Sequence, residues 1–156
     1  MTMTALTIGP ARFDEAEALT GMVRNSMAYD GTYRVMVANQ TVDRAYIEAN
    51  LVRVARGPGG TALGFYSMLV PGCGGPGEAE LDFMFVDNDA QGRGIGRALF
   101  DDLRARAAER AVTRLHIVSH PPSESFYRRC GAYPVGVMPP TGRVTWARPH
   151  LAVDIE

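Results

Sequence analysis

The 156-residue sequence predicts a single α/β domain built on a mixed sheet. Three observations predict it. Residues 79–86 alternate as a strand, residues 91–96 carry three glycines, and residues 95–111 have helical spacing, which makes a strand–loop–helix unit. A further strand at 114–119 follows that helix, so the unit closes as strand–helix–strand. Short strands divided by turn residues precede and follow it and supply antiparallel neighbours. The sum is a central, mixed, mostly antiparallel sheet (α+β in that sense) flanked by about four helices.

The elements follow in order. Residues 5–10 read as a first short strand. Residues 11–23 read as a helix, with apolar Ala16, Ala18, Leu19, Met22 and Val23 and acids in its first turn. Residues 26–34 are polar and aromatic, a loop between helices. Val42, Ala45, Tyr46 and Ala49 recur at helical spacing. Residues 51–55 form a strand, Gly57-Pro58-Gly59-Gly60 a turn, and residues 62–70 the next strand. Residues 71–77 are a glycine-rich loop. In the long helix Ile95, Leu99 and Leu103 line one face beside Ala98 and Ala107, and Asp101, Arg104 and Glu109 face water. At 114–119, Leu115 and Ile117 alternate with His116 and Val118. Residues 123–130 form a short helix. Strands at 135–138 and 145–154 complete the sheet, with Pro149 as an edge or bulge residue.

Composition narrows the function. One domain of this length buries on the order of two-thirds of its unfolded surface. Hydrophobic content of 46% and charged content of 21% are those of an ordinary globular protein. A net charge of −1 provides no field to recruit nucleic acid or anionic membrane. No apolar stretch approaches a membrane span. The first residues lack the regions of a signal peptide, so the cytoplasm is the expected compartment. Cys73 and Cys130 fit no metal spacing, and a disulfide is not expected in a reducing compartment. His116, His120 and His150 are scattered along the chain, and no metal site is expected.

The most informative run is Gln91-Gly92-Arg93-Gly94-Ile95-Gly96, between a strand and a helix. Glycines let a backbone adopt unusual dihedrals and come close to a ligand. Successive N–H groups at a helix N-terminus then face one anion. A Walker A loop is excluded because no Lys-Ser or Lys-Thr pair follows. A dinucleotide fingerprint is excluded because the third glycine falls one place early.

The remaining pattern, Q-x-x-G-x-G, resembles the acetyl-CoA loop of the GNAT superfamily of N-acetyltransferases. A second motif, Ser125-Phe126-Tyr127-Arg128-Arg129-Cys130-Gly131-Ala132-Tyr133, resembles the later helix of that family, in the same order and at a similar separation. Together they cover roughly residues 78–137. The resemblance implies a sheet splayed at the cofactor strand. It implies acetyl-CoA, or another short acyl-CoA, held by Gln91 to Gly96 and by pairing at Met84, Phe85 and Val86. Oxyanion donors are expected near Phe85 and Val86. Arg93 and Arg97 are expected beside the phosphates, and Arg128 or Arg129 near the ribose phosphate. Phe126 belongs to the same wall. The family often has an asparagine before the short helix; here His120 or Ser123 stands in its place.

Amide formation sets its own demands. A free alkyl amine is unprotonated only about once in 2,500 molecules at pH 7, so a base is needed. A thiolate leaves more readily with a proton donor. The resemblance assigns the donor to Tyr127 and the base to Glu80. Strict alternation places Glu80, Asp82, Met84 and Val86 on one face and Leu81, Phe83 and Phe85 on the other. Asp82 is therefore a second candidate base, and two like charges so close would raise one pKa. Some relatives use ordered water instead.

The family's acceptor pocket falls here at residues 26–34 and 138–146. Tyr29, Asp30, Tyr33 and Trp146 are expected to hold a cation by charge and ring face, which favours a small-molecule amine. A protein N-terminus or lysine is the neighbouring alternative. A non-catalytic acetyl-CoA sensor would keep the loop without needing Tyr127 or Glu80. A nucleic-acid binder lacks its basic stripe. Exposed strand edges in such folds often pair, so a homodimer is also expected.

Overall fold

A computed structural model describes residues 6–156. Seven strands form one sheet: β1 (Thr7–Pro10), β2 (Leu51–Arg56), β3 (Ala62–Leu69), β4 (Glu78–Val86), β5 (Arg114–Val118), β6 (Tyr133–Met138) and β7 (Arg148–Asp154), in the order β1-β2-β3-β4-β5-β7-β6. Only β4 and β5 run parallel; every other pair is antiparallel. Four α-helices accompany them: α1 (Ala16–Arg24), α2 (Arg44–Ala49), α3 (Ile95–Glu109) and α4 (Glu124–Arg129). Ala5, expected in the first strand, lies outside the described residues. The expected first helix is a 3-10 turn at Phe13–Glu15 followed by α1. The last strand starts at Arg148 rather than 145.

Two apolar clusters sandwich the sheet. Leu19, Met22 and Val23 of α1 and Ile47 of α2 pack on Val52, Val54, Phe65, Phe83 and Phe85. Ile95, Leu99, Phe100 and Leu103 of α3 pack on Tyr66, Leu81, Leu115 and Ile117. The division follows from strand alternation, which sends successive residues to opposite faces. A polar lock holds α3 on its side: Arg53 grips Asp102 through two bonds of 3.1 Å, and the Tyr66 hydroxyl donates to Asp102 at 2.7 Å. The α3 N-terminus, where the glycine loop ends, is thereby held against the sheet.

Two expectations are corrected here. Arg104 does not simply face water: it is half-buried and donates to the Cys130 carbonyl at 2.9 Å, tying α3 to the end of α4. Pro149 is not in an edge strand, because β7 is interior and β6 is the edge. It is tolerated because it lies beyond the last β5–β7 pair, Val118↔His150. There its carbonyl still accepts from Ser119 N–H at 3.0 Å.

The feature that places the site is in β4. Ser67 pairs with Phe83 and Met68 with Leu81, so Asp82 is an extra residue on the β4 side. Such a bulge shifts the alternation by one. Leu81 therefore packs with Met84 and Val86 on the α3 side, while Phe83 and Phe85 face α1. The strictly alternating faces expected from sequence fail at this residue. The β4–β5 pairing also stops at Leu81↔Ile117, which leaves β4 unpaired on that edge up to Val86.

Candidate active site

The glycine loop is built to leave donors free. Gly92 and Gly94 have φ of 77° and 78°, the left-handed region that disfavours side chains. Gly94 is the N-cap of α3, with no side-chain cap. The first bond of the helix runs from Ala98 N–H to the Gly94 carbonyl at 3.0 Å. The N–H groups of Gly94, Ile95, Gly96 and Arg97 thus have no partner among the described residues. A helix start of this kind attracts anions. Ile95 is buried and anchors the turn. Gln91 braces it, donating from Nε2 to the Val86 carbonyl at 2.8 Å. At Gly96 a Cβ would lie 3.2 Å from the Phe126 ring, so glycine lets α3 and α4 approach this closely without displacing the ring.

A cleft of about 530 Å³ runs from this loop along the open edge of β4. Met84, Phe85, Val86, Gln91, Gly92, Gly94, Ile95, Gly96, Arg97, Ser123, Phe126 and Tyr127 all line it. Asp87 N–H bonds to the Leu63 carbonyl and Phe83 N–H to Ser67 Oγ, both toward β3. Backbone groups alternate along a strand, so Phe85 N–H also turns to β3. The donors on the open edge are those of Met84 and Val86. Phe85 N–H, expected near the oxyanion, therefore turns away from the open edge, while Val86 N–H faces it.

Tyr127 is buried against Phe100 and Phe126. Its hydroxyl has no hydrogen-bond partner among the described residues and borders the cleft. Burial raises its pKa, which keeps the phenol protonated, the form a proton donor needs. Of the arginines, Arg97 and Arg129 line the cleft. Arg93 donates instead to the Asp89 carbonyl at 3.2 Å, and Arg128 pairs with Glu124 at 3.1 Å.

A second cleft, about 250 Å³, lies across β4 and shares Tyr29 and Phe85 with the first. Glu80, Asp82 and Arg148 supply its charges. Glu80 accepts from Cys73 N–H at 2.9 Å. Asp82 accepts from the Tyr46 hydroxyl, whose oxygen is also 2.7 Å from Ser67 Oγ. Ser67 in turn accepts from Phe83 N–H at 3.0 Å. A buried serine thus satisfies the backbone donor at the bulge, and one tyrosine ties the bulge to α2. Burial, followed by the bond to Asp82, raises the Tyr46 pKa. Arg148 forms no salt bridge among the described residues, and its buried Nε has no partner.

The family model described as the acetyltransferase (GNAT) family matches residues 36–132, more than half of the chain. The chain belongs to this family. It is an acetyltransferase, and its acyl donor is acetyl-CoA. No curated protein matches the chain by sequence. Solved structures share its fold. A GCN5-related N-acetyltransferase from Rhodopseudomonas palustris is 19% identical with a TM-score of 0.80, over 99% of this chain and 98% of that one. The ribosomal-protein-S18-alanine N-acetyltransferase from Escherichia coli is 20% identical with a TM-score of 0.72, over 97% and 95%. An acetyltransferase from Bacillus subtilis solved with CoA is 18% identical with a TM-score of 0.69, over 99% and 100%.

The residues of this GNAT protein fit the donor. Four free N–H groups suit a pyrophosphate, the bare β4 edge suits an amide-bearing arm, and glycine at position 96 clears the passage between α3 and α4. Before the short helix, Ser123 borders the cleft and His120 does not. His120 is 2% exposed, stacks on Tyr29 with centroids 3.8 Å apart, and donates from Nε2 to the Ala28 carbonyl at 3.0 Å. Burial lowers its pKa, so it is a neutral wedge under the loop.

The expected cation cage is rearranged. Tyr29 carries His120 on one side and Phe85, 5.4 Å away, on the other. Tyr33 meets His120 and Trp146 edge to face. These rings pack on one another and on His120. Asp30 is paired with Arg34. Tyr29 alone of the four lines a cleft; Asp30, Tyr33 and Trp146 stand behind it.

The histidines are not scattered in space. Pairing of β5 with β7 puts His116 Nδ1 2.9 Å from His150 Nε2, and Cys73 joins them. Sequence reasoning missed this cluster, and also Tyr46, Ser67 and Arg148. The chain spacing of His116 and His150, both in predicted strands, was the available signal.

Proposed function

We propose that this acetyltransferase moves the acetyl group of acetyl-CoA to the primary amine of a small molecule, by direct attack in a ternary complex. The observation that carries the reading is Tyr127: an unpartnered phenol in the same cleft as the free-donor loop, with a cleft holding two carboxylates adjoining it at Tyr29 and Phe85. When bound, acetyl-CoA supplies the thioester whose C–S bond breaks as the C–N bond forms. Gly94 to Arg97 hold the phosphates, and Arg97 and Arg129 add charge. Met84 N–H and Val86 N–H hold the carbonyl oxygen as charge develops there. Glu80 takes the proton from the attacking amine, and Tyr127 gives one to the departing sulfur. Asp82, engaged by Tyr46, is the weaker candidate base.

The acceptor cleft supports a small substrate, since about 250 Å³ holds a compact molecule rather than a peptide chain. Its two acids suit the ammonium form before deprotonation. Arg148 gives it a cation as well, which favours an amine that also carries an acid group. A cytoplasmic location fits two unpaired cysteines, and cell fractionation checks it. The exposed edge strand β6, with Val135 and Val137 at its surface, supports a homodimer, which light scattering tests.

The deciding experiment is CoA-thiol release with acetyl-CoA and matched acceptors: amino acids, their decarboxylated amines, polyamines, aminoglycosides and short peptides. Release with amino acids over their decarboxylated partners supports the reading. Release with peptides alone moves the substrate to proteins. Acetyl-CoA raising the melting temperature, with no release from any acceptor, favours the sensor.

A further inference from the structure

We propose that Cys73, His116 and His150 form a binding site for one divalent ion of the zinc class. It lies on the acceptor side of the sheet, beside Glu80, and does not depend on which amine is acetylated. One sulfur and two imidazole nitrogens, one from each residue, all lie within 4.8 Å of one another. Zinc bond lengths of 2.0–2.3 Å place tetrahedral donors about 3.3–3.6 Å apart. The two nitrogens are 2.9 Å apart. Small side-chain movements therefore bring all three donors to coordinating distance.

The surroundings are organised for the same end. His116 is 9% exposed, and its far nitrogen, Nε2, lies 2.8 Å from Glu78 Oε1. The same carboxylate oxygen accepts from Gly75 N–H at 3.0 Å, so it is fixed in place. With Nε2–H donating to Glu78, Nδ1 presents its lone pair toward His150. A carboxylate behind a histidine is the usual support of a ligating imidazole.

The loop that carries Cys73 is pressed onto this group. A Cβ at Gly72 would lie 2.4 Å from Glu80 Cβ, and one at Gly74 would lie 2.7 Å from Glu78 Cβ and 3.1 Å from His116 Cδ2. Glycine on both sides of the cysteine is what lets the thiol reach the histidines. Without an ion, His150 Nε2–H donates to His116 Nδ1. Coordination releases the Cys73 thiol proton to solvent and moves the His150 proton to Nδ1, leaving one thiolate and two neutral imidazoles on the ion. Three protein donors leave a fourth position for water.

The test uses untagged full-length protein stripped with a chelator and then freed of it. Cobalt(II) is the optical probe and zinc(II) the competitor. The expected result is uptake of one equivalent with a thiolate-to-cobalt charge-transfer band and tetrahedral visible bands, all displaced by zinc. Glu78→Gln, acting through His116, weakens uptake by about 10–100-fold. Cys73→Ser weakens it further and removes the charge-transfer band. Cys73 is exposed, so the metal-free melting temperature of that variant stays at the wild-type value. Absence of stoichiometric uptake by the wild-type protein overturns the proposal. So does uptake that is equally tight in Cys73→Ser and His150→Gln, which would leave Glu78, His116 and His150 as a hydrogen-bonded chain only.

Discussion

The two sides of β4 offer different groups to a ligand. On the α3 side the cleft is made mostly from two short stretches, 84–97 and 122–129, and its polar groups are largely backbone N–H. On the α1 side the cleft draws on residues 29–40, 80–85, 118 and 144–148, and its polar groups are side chains. Backbone recognition tolerates side-chain change as long as the loop keeps its shape. Side-chain recognition changes with each substitution. On the proposed reading, the first cleft is suited to the acetyl-CoA donor and the second to the acceptor. Variants on one side should leave the other side's affinity alone.

The largest effect is expected in the first cleft, at Tyr127. Tyr127→Phe removes only a hydroxyl with no partner in the described chain, so folding and acetyl-CoA affinity should hold. Turnover should fall by about 10²–10⁴-fold, the usual worth of a positioned acid. Single-turnover kinetics beside a binding titration separate the two. Unchanged turnover would return Tyr127 to a packing role.

Next comes the choice of base. Glu80→Gln should lower kcat/KM for the amine by about 10²-fold near neutral pH. The deficit should shrink as pH rises, because more of the amine then arrives unprotonated. Asp82→Asn should cost less, since Asp82 is engaged by Tyr46. A larger loss in Asp82→Asn would exchange the two roles, and equal small losses would point to ordered water.

On the donor side, Gly94→Val forces a β-branched residue to φ of 78°. Holding that conformation costs on the order of 1–3 kcal/mol, which reads as about tenfold to a hundredfold weaker acetyl-CoA binding. The amine KM should not move. Equal losses on both sides would mean that the clefts are not independent.

The same contrast explains what was legible in the sequence. Gln91 to Gly96 and Phe126-Tyr127 could be read because each is local: adjacent residues fix the geometry that does the chemistry. The strands and most helices were legible for a similar reason, since periodicity is local. The acceptor side was not. Glu80 and Asp82 share one cleft as expected, but grouping Met84 and Val86 with them on one face was wrong, because the bulge depends on Ser67, which meets Phe83 across a sheet ladder. Tyr29, Tyr33 and Trp146 carried the right composition for a cation cage, yet only tertiary packing shows that these rings pack on His120 and on one another. His116 and His150 are 34 residues apart and meet only through β5–β7 register.

The smallest effect tests the bulge itself. Ser67 is fully buried; it accepts from Phe83 N–H and is bonded to the Tyr46 hydroxyl. Ser67→Ala leaves that N–H without a partner, at a cost of about 1–3 kcal/mol, and each kcal/mol lowers Tm by about 2–4 °C in a domain of this size. The Tyr46–Asp82 contact is loosened with it, so Asp82 and its neighbour Glu80 lose part of their alignment. The amine KM should rise a little, while acetyl-CoA affinity stays put, because Gly94 to Arg97 lie beyond the bulge and are held by α3. Thermal melts and paired titrations measure both. A variant that melts at the wild-type temperature would mean that the bulge is set by the loop and helix packing around it rather than by this serine.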